Sequence, residues 1–224
     1  VHVSDPGRPE WEGFASATTA AAAGGVAVIA DMPLEAIPPT ISVAGLSRKR
    51  AVTRGVIRVD VGFWGGVVGG GLLDMELLAD AGVFGFFAAL TDSGLGSGDR
   101  VSLAELEGAL QTGAGLGLPV LVDAEAPEHL LAAPEPGPDH EAHLDSRPVA
   151  AEVAGVAAVV GAAGRTGGWA HLVHVSSGEA VQLISEARRM GIRITAETSP
   201  HYLTMNAEEV PATDSRFKAS PPIR

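Results

Sequence analysis

The chain has 224 residues, 46% of them hydrophobic, which is enough for one sizeable core and too little for two large domains. Its net charge of −12 argues against nucleic acid or an anionic membrane surface as the main partner. Cysteine is absent, so disulfides and thiolate metal sites are excluded, and any metal must be held by His, Asp, Glu or a modified side chain.

No apolar run reaches the ~18 residues of a membrane span, so no membrane partner is expected. No signal peptide is visible, and a cytoplasmic location is expected, although Val1 reads as an internal start from which an upstream segment could have been removed.

In chain order, His2-Val3 reads as a strand end running into the Asp5-Pro6-Gly7 turn. An Ala-rich helix over 11–23 stops at Gly24-Gly25, and a short apolar strand over 26–30 ends on Asp31-Met32-Pro33. A helix over 42–54 carries Arg48, Lys49 and Arg50 near its end. A strand over 57–63 leads into a glycine-rich loop over 65–71. A helix over 72–81 and a strand over 83–90 follow, and then a helix from Ser102 to about 116, with Glu105 completing a capping box. Pro119 to Asp123 is a strand.

The stretch from Pro127 to Ser146 is rich in Pro and acid. Loops of ~20 residues without structure are uncommon, and mobility with solvated His140 and His143 is expected here. A helix over 149–163 precedes His171-Leu172-Val173-His174-Val175, an apolar strand ending on a histidine, with Ser176 or Ser177 capping the next helix, 179–190. On strict alternation, His171 shares a face with Val173, and His174 with Leu172. A strand over 192–198 follows, and the rest is irregular, with one short turn at 207–210.

Strand and helix thus alternate six times before a last strand, which implies right-handed crossovers and a parallel sheet. A (β/α) barrel typically takes ~250 residues, so seven strands here suggest one lacking its eighth unit. A doubly wound open sheet is the rival, but no GxGxxG follows any strand. The polar residues at strand ends are His2, Asp31, Asp123 with Glu125, His174, and Glu197 with His201. In a barrel these positions line one mouth. Two histidines and a carboxylate there could hold a divalent ion, and the residue types alone leave a metal hydrolase and a metal-free site both open. Glu125 and Glu152 have a plain alternative as partners of Arg147. Asp31 has one in backbone hydrogen bonding, and His201 in a structural role.

The stretches HVSDPGRPEWEGF, AAAAGGVAVIADMPLEAIPPT, VDVGFWGGVV, GVFGFFAALTDSG, SRP followed by VAAE, HLVHVSS, TAETSPHYL and FKASPPIR resemble, in order along nearly the whole chain, the allantoinase branch of the amidohydrolase superfamily. Dihydroorotases and hydantoinases are its cousins. WEGF, DMPL with IPPT, and FWGG carry the resemblance to the allantoinase branch itself.

The resemblance implies a TIM-like barrel with two metal ions. An HxH pair ends the first strand, a carboxylated lysine ends the fourth and bridges the metals, single histidines end the fifth and sixth, and an aspartate ends the eighth. A bridging hydroxide then attacks a cyclic amide carbonyl while the aspartate shuttles the proton. Carried over, His2 matches the second histidine of HxH, and His174 the histidine of the sixth strand. Phe87 stands where the bridging lysine is usual, and Asp123 where a histidine is usual. The first histidine would lie before Val1 and the final aspartate beyond Arg224. Ser4 and Glu35 stand in place of asparagines, and Ser199 and Ala219 where cysteines are common.

The expected fold is therefore α/β: a TIM-like (β/α) barrel of the metal-dependent hydrolase type, a single domain over 1–224 truncated at both ends. The eighth unit and the family's β-sandwich domain are expected to be absent. The expected activity is hydrolysis of allantoin to allantoate, weakened or lost because Phe87 offers no lone pair and cannot be carboxylated. The alternatives are a non-catalytic scaffold or binding homologue, and hydantoin or dihydroorotate as the cyclic amide. His2, Asp123 and His174 are the expected metal ligands, for zinc or another divalent ion, at most one. Ser4, Asp31, Trp64 and Ser176 are candidates for contact with the ureide. Two unpaired sheet edges predict a homo-oligomer.

Overall fold

A computed structural model describes residues 1–92, 99–131 and 139–224. The helices are α1 (Phe14–Ala23), α2 (Val43–Thr53), α3 (Met75–Asp80), α4 (Leu103–Leu116), α5 (His140–Ser146), α6 (Val149–Thr166), α7 (Gly178–Arg189) and α8 (Pro200–Thr204). The strands are β1 (Val28–Asp31), β2 (Asp60–Phe63), β3 (Gly65–Gly66), β4 (Phe86–Ala89), β5 (Val120–Asp123), β6 (Ala170–Val173) and β7 (Ile194–Ala196). The expected alternation holds, with the helix over 72–81 opening as a 3-10 turn at Gly71–Asp74 before α3.

All strand pairs are parallel, and they follow one another in chain order: β1 with β2, and then β3-β4-β5-β6-β7. β2 and β3 are one run of backbone broken at Trp64. The Trp64 amide donates to Asp31 O on the β1 side (3.0 Å), and the Gly65 amide donates to Gly85 O on the β4 side (3.0 Å). The single bend passes the ladder from one sheet to the next.

Alternation sorts the side chains into two layers. Phe86, Ala88, Val120, Val122, Ala170 and Leu172 enter the main core beneath the helices, with Leu106, Leu110, Val156, Val159 and Ile184. Phe87, Ala89, Leu121 and Val173 face the other way and form a smaller cluster with Met32. α6 is long and apolar enough, with α5, to pass for a membrane span by composition. It packs instead between α4 and α7. Gly155 lets it lie directly on the backbone that leaves β5, since a Cβ there would sit 2.2 Å from Ala124 O.

Two expectations are corrected. The segment around His2-Val3 is not a strand. It is tied alongside β1 by Met32 N donating to Val1 O (2.8 Å) and Val3 N donating to Asp31 Oδ1 (2.8 Å). The second concerns the stretch 127–146. Residues 132–138 lie outside the described residues, but Asp139 caps α5 by accepting from Glu141 N (3.0 Å), so 140–146 is helical. His140 and His143 are accordingly not solvated. His140 is buried with Nε2 3.2 Å from Ile223 O, and His143 Nε2 lies 2.7 Å from Ala219 O.

Lys49 and Asp31 are both fully buried (0% exposed), with Nζ 2.5 Å from Oδ2. Lys49 also donates to Met32 O (2.6 Å). Burial pushes the Asp31 carboxyl above its ordinary value, against the pull of Lys49. Removing one partner leaves a buried charge uncompensated, which costs about 3–5 kcal/mol. Lys49→Met is therefore expected to lower unfolding free energy in urea by about that amount, with Asp31→Asn added to it recovering part of the loss. A single variant within about 1 kcal/mol of the parent would contradict this role.

Candidate functional site

The parallel register brings strand ends level. Ala89 of β4 pairs with Asp123 of β5, and Asp123 with Val173 of β6. Strict alternation would turn His174 outward with Leu172. Instead His174 takes φ 58°, the only described non-glycine residue with positive φ. That left-handed turn costs free energy in a residue with a Cβ and persists only when its surroundings impose it. They do so here through Glu152 on α6, which accepts from Ser176 N (2.8 Å), Ser177 N (3.2 Å) and Ser176 Oγ (2.6 Å). Arg224 Nε adds a bond to Ser176 Oγ (3.1 Å). Glu152 is thus the brace of this turn rather than a partner of Arg147.

Swung inward, His174 meets the other strand ends. Its Nδ1 is 3.4 Å from Asp123 Oδ2, and its ring lies 5.5 Å from that of His2, centroid to centroid. His2 Nδ1 is 2.6 Å from Glu35 Oε1. Two imidazole–carboxylate pairs therefore face each other across one mouth. Burial disfavours a charged His174, but the hydrogen bond and charge of Asp123, with Glu197 behind it, hold its pKa above the ordinary value. Burial likewise works against an ionised Glu35, yet the bond to His2 keeps its pKa below the usual carboxylate value.

A cavity of about 370 Å³ opens here, lined by His2, Glu35, Phe87, Asp123, Glu125 and His174 among others. Glu125 forms an ion pair with Arg147. Burial pushes the Glu125 carboxyl up to about 7, against Arg147 and with help from Asp123. Behind His2 and His174 lies a second, larger cavity of about 630 Å³, walled by Trp64, Leu121, Trp169 and His171. In it His171 Nδ1 lies 2.8 Å from Thr195 Oγ1, and its Nε2 3.4 Å from Glu197.

The structure thus gathers His2, Asp123 and His174. Trp64 stands beside them on the wall of the larger cavity. The other three ureide-contact candidates lie elsewhere. Asp31 is enclosed with Lys49, Ser4 is buried with its backbone bonded to Glu12 and Arg8, and the Ser176 hydroxyl is taken up by Glu152 and Arg224. Glu35, read in the sequence only as a departure from asparagine, turns out to hold His2. No local spacing links residues 33 positions apart.

The fit to a metal pair is poor. Phe87 is buried in the inner apolar cluster, in register with Leu121 two rungs below Asp123, and its ring offers no lone pair to an ion. Among the described residues no three His, Asp or Glu side chains are gathered closely enough to hold a metal ion.

No family model matches the chain. Curated proteins do. Allantoinase of Streptomyces avermitilis is 47% identical over 225 residues, covering 100% of this chain and 51% of that protein. Allantoinase of Saccharomyces cerevisiae is 38% identical over 230 residues, covering 100% and 50%. The chain is similar to allantoinases along its whole length. The likeness to the allantoinase branch read from the motifs is borne out. Among solved structures, the L-hydantoinase (dihydropyrimidinase) from Arthrobacter aurescens superposes with a TM-score of 0.89 at 28% identity, covering 100% of this chain and 51% of that one. The chain spans about half the length of the curated relatives it matches.

The lining of the 370 Å³ cavity includes Ala219 and Ser220, in a segment held by His143 at Ala219 O, Tyr202 at Pro221 O (2.6 Å) and His140 at Ile223 O. Burial, with Arg147, Lys218 and His140 nearby, holds His143 below its ordinary pKa despite the bond to Ala219. A histidine shifted down stabilises the fold above its unfolded pKa of ~6.5, and this contribution is lost as pH falls through the folded value. Protection of the 219–224 amides from exchange is therefore expected to weaken below about pH 6.5, and His143→Gln to flatten that dependence. Parallel pH profiles for parent and variant would rule His143 out as the source.

Proposed function

We propose that this chain is an allantoinase-type scaffold, part of a (β/α) barrel, whose mouth binds a small cyclic ureide and does not support two-metal hydrolysis. The observation that carries the ureide reading is the convergence of His2, Asp123 and His174 on one cavity in a chain similar to allantoinases throughout. Allantoin is the first candidate ligand, and its ring opening to allantoate is the reaction to assay. Hydantoin follows, from the solved L-hydantoinase.

Two dications about 4 Å apart repel strongly in a low dielectric and need an anionic bridge. Phe87 supplies none. The trio of His2, Asp123 and His174 is where a single zinc or other divalent ion would bind, with side-chain movement to break the His2–Glu35 bond. A cytoplasmic location and self-association through the open sheet edges belong to the same proposal.

The test is metal content with turnover. Purified from zinc-supplemented medium, the parent is expected to hold at most one ion per chain and to show little or no allantoin hydrolysis. A Phe87→Lys/Asp123→His variant is expected to hold more metal than the parent. Two tightly held ions in the parent, or allantoin turnover by it equal to that of the variant, would falsify the proposal.

A further inference from the structure

Glu125 follows Asp123 by two residues and lines the same 370 Å³ cavity. It is 1% exposed. Its Oε2 is held by Arg147, while its Oε1 is enclosed and has no hydrogen-bond partner. A carboxylate oxygen left bare in a closed site is costly, so such an atom marks a place where a donor arrives. Glu35 Oε2 and His201 Nε2 are also buried without partners, and both residues line the same cavity. Three residues that line one cavity therefore each carry an unfilled polar atom. Beside them Arg147, itself on the cavity wall, is a donor without acceptor capacity.

We propose that Glu125 and Arg147 form a recognition pair for an –NH–CO– unit of a neutral ring: Glu125 Oε1 accepts a ring N–H, and the Arg147 guanidinium donates to the adjacent carbonyl oxygen. Glu35 Oε2 then accepts a second N–H across the cavity. The pattern of an acceptor beside a donor is the complement of a ureide, which alternates N–H and C=O around its ring. The same pattern selects against an anionic ring such as a carboxylated dihydropyrimidine, because Glu35, Asp123 and Glu125 would all face its charge. This inference rests on the ureide reading above and goes beyond it by naming the recognising atoms and the charge of the ligand.

The test uses two probes on the whole chain: hydantoin, and 1,3-dimethylhydantoin, which lacks N–H. By calorimetry the parent is expected to bind hydantoin at least tenfold more tightly than the dimethyl compound, since a site built to pair an N–H rejects an analogue without it. Glu125→Gln is expected to lose at least tenfold for hydantoin and to narrow the preference over the dimethyl compound, Glu35 still accepting its own N–H. Equal affinity of the parent for both probes overturns the recognition pair even if the variant fails to fold. A folded Glu125→Gln that keeps the parent's affinity and preference also overturns it, and leaves the ureide reading standing. Binding of neither probe by the parent overturns both.

Discussion

The mouth of this protein hangs on a buried ion pair at the far side of β1. Asp31 and Lys49 sit entirely out of water, and between them they bind three pieces of backbone or charge: the Val3 amide, the Met32 carbonyl and each other. The first of these fixes the segment carrying His2. The second fixes the start of the run Met32-Pro33-Leu34-Glu35, which carries the carboxylate that His2 holds. A charge pair in an apolar interior is seldom a net source of stability, but losing one member is severe. What it supplies here is geometry: His2 and Glu35 come from segments 33 residues apart and meet at 2.6 Å because both are tied to the same end of β1.

On the opposite wall the same task falls to Glu152. Its two oxygens take three donors from Ser176 and Ser177, and so hold His174 in a backbone conformation that its Cβ disfavours. Both walls therefore position an imidazole by means of a carboxylate that never reaches the cavity. Between them the floor is hydrocarbon: Phe87, Leu121, Val173 and Met32. An apolar floor under two histidines and three carboxylates lowers the local dielectric and strengthens every hydrogen bond above it. It also denies a pair of metal ions the anion they need between them. The proposed recognition of a polar neutral ring and the proposed absence of binuclear chemistry both rest on this same floor.

Much of the architecture was legible in the chain. After the first segment, the strand–helix alternation, the capping box at Ser102 and the helix start at Ser176 or Ser177 (the structure uses Ser177) appear as read, because each rests on local periodicity or local hydrogen bonding. Asp123 and His174 were expected together from their positions at strand ends, which parallel pairing makes neighbours, whereas His2 joins them from a segment that is not a strand. What escaped depends on distant partners. Lys49 looked like one of three basic residues near a helix end, yet it shares a buried face with Gly45, Leu46 and Thr53, a spacing that marks it as inward. Asp31 looked like a mouth residue until that lysine claimed it. His140 and His143 sat in a segment rich in proline and acid, and no local pattern announces that the last residues of the chain return to cover them. His174 defied alternation because a single positive φ reverses a side chain's face, and nothing in Val-His-Val signals one.

The central claim is that the mouth is a hydrogen-bonding site with an apolar floor, not a binuclear metal centre. Crystals grown with excess zinc and examined at the zinc absorption edge test it most directly. The account predicts at most one anomalous peak among His2, Asp123 and His174, with the Phe87 ring in its apolar cluster. Two peaks about 4 Å apart over Phe87, sharing a bridging ligand, would contradict it.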